Sequence, residues 1–169
     1  MLNIHRALAF TSASLAAGQS LVLAPPCSFG VPPHNVPRLT GIYSTPFPDG
    51  VPGPYVNARV TRGDGGQEFH ELRALLDTGA DITLIPQITI DALGLQLVTD
   101  DLELHDGMGQ VTEDAKMFRA DIKIGDLPVH TVGISSTAAA VMFIGRDVLA
   151  DYLAAFHGPG QSFSMDRPD

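Results

Sequence analysis

Apolar and polar positions alternate with a period of two along much of the chain after residue 50. Val56, Ala58 and Val60 alternate with Asn57, Arg59 and Thr61, the pattern of a strand with one buried face. Gly63-Asp64-Gly65-Gly66 supplies a turn, and the mainly apolar residues 72–76 follow, so the two runs predict a β-hairpin that ends at Asp77. A second β-rich stretch is expected over residues 82–85. Further on, Ile122 and Ile124 alternate with Asp121 and Lys123, Gly125-Asp126 turns the chain, and residues 129–134 continue as another strand. Helical signals are few. A short helix is predicted over residues 89–93, stopped by Gly94, and a longer one over residues 147–156, stopped by Gly158 and Pro159. Asp147 in the first turn of the latter suits the helix dipole.

The pattern weakens towards the N-terminus. Nine of the thirteen prolines lie in residues 25–54, a density that removes backbone donors and fixes φ too often for a regular core, so this stretch reads as a linker. Residues 7–24 are mostly small and apolar behind a weakly basic start at His5 and Arg6. They read as a signal, an anchor, a short helix or a disordered leader; export or membrane association would depend on them alone. The expected organisation is therefore a leader and Pro-rich linker over residues 1–50, open to reading as a signal, an anchor or a removable pro-segment, and one domain over residues 51–169, a usual size for a compact unit.

Composition narrows the chemistry. Ten basic against nineteen acidic residues give a net charge of -9, and no basic cluster could track phosphates, so nucleic acid is not an expected partner. Cys27 is the single cysteine, which leaves no intrachain disulfide framework and no cysteine-built zinc site. The six histidines are scattered without a close ligand pair, a Gly-x-Ser-x-Gly turn is absent, and Asp77 with Asp81 lacks the distal carboxylate of a calcium loop. No metal and no cofactor is expected.

The most informative segment is Leu76-Asp77-Thr78-Gly79-Ala80-Asp81-Ile82-Thr83-Leu84-Ile85-Pro86. It places an acid at the end of an apolar strand, where burial opposes ionisation; two such acids close together would share one proton, so that one serves as base while the other serves as acid. The segment resembles the active-site loop of retroviral-type (retropepsin-like) aspartic proteases. Val141-Met142-Phe143-Ile144-Gly145-Arg146-Asp147-Val148-Leu149 resembles the Gly-Arg-Asp/Asn element near the end of those proteases, and Gln161-Ser162-Phe163-Ser164-Met165 their terminal strand. His105-Asp106-Gly107-Met108-Gly109-Gln110 looks like either the tip of their flap or an ordinary hairpin loop.

The resemblance covers residues 53–166 and implies an all-β fold: a small closed barrel with one C-terminal helix, active as a homodimer because each chain has one Asp-Thr-Gly. It implies that Asp77 is catalytic, that Thr78 locks the two loops across the dimer, and that Gly79, Ala80 and Asp81, with Gly107, Met108 and Gly109 above them, bind an extended polypeptide. It further implies that Gly145 packs under the loop and that Arg146 pairs with Asp81. That pair reads either as a partly buried support or as a surface ion pair of little worth. Two functions follow: an aspartic endopeptidase, or a catalytically silent domain that keeps the fold for dimerisation or peptide binding.

Overall fold

The computed structural model describes residues 38–105 and 111–168. In chain order the elements are β1 (Arg38–Ile42), β2 (Tyr55–Arg62), β3 (Phe69–Leu76), β4 (Leu84–Pro86), α1 (Gln87–Leu93), β5 (Gln96–His105), β6 (Val111–Ile124), β7 (His130–Thr137), β8 (Met142–Ile144), α2 (Arg146–Leu149), β9 (Leu153–His157) and β10 (Ser162–Asp166). The strands form two sheets.

The larger sheet closes on itself. Its order β2-β3-β8-β4-β7-β6 is completed by pairing of β6 with β2, from Ala58↔Ile124 to Arg62↔Ala120, which makes a six-stranded barrel and removes the free edges that an open sheet would carry. Period-two patterning fills it: Val56, Ala58 and Val60 of β2 and Ala120, Ile122 and Ile124 of β6 are buried, while Asp121 and Lys123 face outward. Ala74, Leu76, Ile134, Met142 and Ile144 complete the core. β5 pairs outside the ring with the first half of the fourteen-residue β6, through several register shifts. The resulting hairpin projects from the barrel.

The smaller sheet, in the order β1-β10-β9, joins the two ends of the folded unit. β1 lies within the proline-rich stretch expected to be a linker, yet it pairs with β10 from Arg38↔Asp166 to Ile42↔Ser162. Proline density hides this strand in the sequence because Pro37 precedes it and the next proline, Pro46, lies beyond its end. Its middle is matched to its partner: a Cβ on Gly41 would sit 2.3 Å from the Phe163 ring, so the absent side chain makes room for a buried aromatic.

The helices partly follow expectation. α1 ends at Gly94, whose φ of 56° is left-handed, as a glycine stop requires. The helix expected over residues 147–156 is one turn long, Arg146–Leu149, and residues 153–157 form β9 instead. Gly158-Pro159-Gly160 therefore turns a hairpin rather than stopping a helix, with the Gln161 N–H bonded to the Gly158 carbonyl at 3.0 Å. Pairing of β9 with β10, including Phe156↔Phe163, outweighs the weak local preference for helix. Among the described residues no helix is long and apolar enough to cross a membrane.

Candidate active site

β3 and β8 run parallel, with Leu76 opposite Ile144, so their chains leave the sheet side by side. Asp77 is the first residue out of β3. Its N–H donates to the Ile144 carbonyl at 2.9 Å. Asp77 is half-buried, with Thr78 and Gly79 exposed beyond it. The Asp77 Oδ1 accepts the Gly79 N–H at 2.9 Å, an Asx turn that fixes the carboxylate relative to its own backbone. The Asp77 carbonyl accepts the Ala80 N–H at 3.3 Å. The loop thus folds tightly around its acid.

A second group of residues holds this loop from beneath. Gly145 leaves β8 directly under it, and a Cβ there would lie 2.6 Å from the Ile82 carbonyl carbon and 2.7 Å from its oxygen, so the position has no room for a side chain. The Arg146 N–H donates to the Ala80 carbonyl at 2.9 Å and the Asp147 N–H to the Asp81 carbonyl at 3.2 Å. Thr83, fully buried, joins the parts. Its Oγ1 donates to Asp147 Oδ1 at 2.8 Å and accepts the Gly145 N–H at 3.1 Å, while its N–H donates to Asp147 Oδ2 at 2.9 Å. The Ser135 N–H of β7 donates to the Thr83 carbonyl at 3.1 Å.

Arg146 does pair with Asp81. Of the two readings of that pair, the exposed one holds in the single chain: the side chains are 61% and 77% exposed, where such pairs contribute at most about 1 kcal/mol. Thr83 and Asp147 carry the buried part of the support, and sequence reasoning did not assign them that role. The available signals were a threonine interrupting an apolar run and an aspartate directly after Gly145-Arg146.

Beside the loop lies an open groove of about 800 Å³. Gly79, Ala80, Asp81, Ile82 and Leu84 form one wall, and Leu102–His105 of the projecting hairpin, with Ala115 and Lys116, form the other. Gly107, Met108 and Gly109 lie outside the described residues. Among the described residues there is no cluster of three or more His, Cys, Asp or Glu that could hold a metal ion.

Behind the support, His130 at the start of β7 contacts the Tyr152 hydroxyl through Nε2 and lies 3.3 Å from Asp151 through Nδ1. This ties the chain just after α2 to the barrel. Burial lowers the His130 pKa below 6.5, opposed by the Asp151 carboxylate, and burial raises that of Tyr152.

The family model described as "gag-polyprotein putative aspartyl protease" matches residues 66–151. The chain belongs to this retropepsin-like aspartic protease family. The match takes in both the Asp77 loop and the Gly145-Arg146-Asp147 element. Among solved structures, the chain is similar to EIAV protease complexed with the inhibitor HBY-793, at 20% identity over 59% of this chain and 86% of that one, with a TM-score of 0.45. It is similar to a retropepsin-like aspartic protease from Rickettsia conorii, at 14% identity over 79% and 96% of the two chains, with a TM-score of 0.47. It is also similar to the retroviral protease-like domain of Ddi1 from Leishmania major, at 11% identity over 68% and 92%, with a TM-score of 0.41. A search of curated proteins finds no match. Family membership rests on the matched residues 66–151 rather than on these distant likenesses.

Proposed function

We propose that the chain is an aspartic endopeptidase that works as a homodimer, with Asp77 from each copy forming the catalytic pair. The observation that carries this reading is the different engagement of the acids around the loop. Asp81 is taken by Arg146 and Asp147 by Thr83, whereas the Asp77 carboxylate is bonded only within its own loop among the described residues and stands at the exposed turn. Paired-carboxylate hydrolysis needs a second acid of the same kind, and a two-fold axis through this turn supplies one.

In the proposed reaction, one Asp77 carboxylate removes a proton from a water held between the pair, and the water oxygen attacks the peptide carbonyl carbon. The other Asp77, protonated, gives its proton to the developing oxyanion. Collapse of the tetrahedral diol breaks the C–N bond, and a proton passes to the leaving nitrogen. The backbones of Gly79 and Asp81 would bind the extended substrate by main-chain hydrogen bonds, with Ala80 lining the pocket beside them. Thr78 would bond across the axis, and the Gly107-Met108-Gly109 tip would close over the substrate.

The test is cleavage of a peptide library at several pH values by wild type and Asp77→Asn, with light scattering on both. Cleavage by wild type alone, with both proteins dimeric, is the expected result. Two dimers that both bind peptide and never cleave it would overturn the reading in favour of a silent peptide-binding domain.

A further inference from the structure

The groove beside the loop holds one cation without an ion-pair partner among the described residues. Two carboxylates line it, and each already has a side-chain partner: Asp81 pairs with Arg146, and Glu103 lies 2.8 Å from His105 Nε2. The third charged residue on the lining is Lys116 of β6. Among the described residues no carboxylate lies within ion-pair distance of it. The place of its backbone along the groove is also defined, and its side chain is exposed. The Ser135 hydroxyl donates to the Lys116 carbonyl at 2.8 Å, and Ser135 is the register partner of Leu84 on β4. Lys116 therefore stands near the Leu84 part of the groove, seven residues along the chain from Asp77 and beyond the turn at Gly79 and Ala80. The surroundings are otherwise mainly apolar, with Ile82, Leu84, Leu102 and Leu104 on the two walls.

We propose that Lys116 is a specificity-determining residue that favours polypeptide substrates with an acidic side chain at a position removed from the scissile bond. This deepens the protease reading and rests on it. A peptide laid in the groove strips water from the ammonium, which is unfavourable unless the peptide returns an acceptor. A glutamate or aspartate returns a charged one; a lysine or arginine at the same place adds repulsion. The net charge of -9 opposes acidic peptides at long range, but at physiological ionic strength that repulsion is screened beyond about 8 Å. The contact with Lys116 is local, so its effect depends on position in the peptide. In a two-fold dimer each copy contributes one Lys116, so the preference falls at two positions, equally distant on either side of the cleaved bond.

The experiment scans one Glu through each position of a cleaved neutral peptide and compares every member with its Gln counterpart by kcat/KM. The expected result is a Glu-over-Gln preference of about two- to five-fold, the range for an exposed ion pair, confined to two symmetric positions. Lys116→Gln brings the ratio at those positions close to one, and Lys116→Glu pushes it below one. A preference that is equal at every position, or one that survives Lys116→Gln, overturns the proposal. The same peptides are also titrated by fluorescence anisotropy into Asp77→Asn, with and without Lys116→Gln. If wild type cleaves nothing, the protease reading fails, while a Glu preference in binding that disappears with Lys116→Gln still upholds the role of Lys116. Binding with no such preference removes that role as well.

Discussion

Replacing Thr83 by valine keeps the shape of a fully buried side chain and removes its hydroxyl. Two hydrogen bonds go with it: the donation to Asp147 Oδ1 at 2.8 Å and the acceptance from the Gly145 N–H at 3.1 Å. A hydrogen bond to a charged group contributes about 1.5–3 kcal/mol, and a buried N–H left without a partner costs about 1–3 kcal/mol. Asp147 keeps the Thr83 N–H at 2.9 Å and the Val148 N–H at 3.0 Å, and the added methyl is buried favourably, so the lower half of the sum applies. The expected loss is about 2–4 kcal/mol, or on the order of 10 °C in Tm for a domain of this size. Urea unfolding of wild type, Thr83→Val and Thr83→Ser at one fixed protein concentration measures it, since any oligomer makes stability depend on concentration. Serine keeps the hydroxyl and loses only a methyl, so it should cost about 1 kcal/mol and less than valine. The hydrogen-bond account would be falsified if valine proved as stable as threonine, or if serine proved worse than valine.

The remaining expectations concern the same support and its surroundings. Gly145→Ala pushes a methyl into the Ile82 backbone, and an overpacking loss of about 1–3 kcal/mol is expected; an unchanged urea midpoint would mean that the loop shifts without strain. Arg146→Ala removes an exposed pair and should change the stability of the single chain by no more than about 1 kcal/mol. A larger loss, seen only at protein concentrations where light scattering reports a dimer, would show that assembly buries the pair. Burial lowers the folded-state pKa of His130, so the unfolded chain takes up this proton first as the pH falls. The stabilising contribution is therefore complete above the unfolded value of 6.5 and is lost as the pH drops through that value towards the folded one. Urea midpoints of wild type and His130→Gln between pH 7.5 and 5 should show a shallower pH dependence in the variant; equal slopes would rule out His130 as the source.

Much of the barrel is legible in the sequence because one buried face per strand imposes period two, as in Val56, Ala58 and Val60 of β2 or Ile122 and Ile124 of β6. The Asp77 loop is legible for a different reason: a strand end, an acid and a glycine turn lie within a few adjacent residues. What was missed depends on partners distant in sequence. Residues 153–157 form a strand because β10 lies beside them, and β1 exists because Phe163 fills the space left by Gly41. Thr83 looks unremarkable until Gly145 and Asp147, more than sixty residues later, are brought to its hydroxyl. Alternation alone would have put Thr83 on the opposite side from Ile82 and Leu84 without revealing that its side is the buried one.

The pairing of β1 with β10 also governs the timing of assembly. Arg38 meets Asp166, so the small sheet cannot form until nearly the whole folded unit has been synthesised, and its pairing spans the longest sequence separation among the described strands. Pairings this non-local form slowly because a long loop must close before any contact repays the lost chain entropy. During synthesis the β2–β3 hairpin can form early, while β1 waits unpaired for a strand that does not yet exist. A chain truncated before residue 162 would retain all six barrel strands and leave β1 without its partner. Completion of the small sheet is thus a built-in marker that translation has reached the end of the fold.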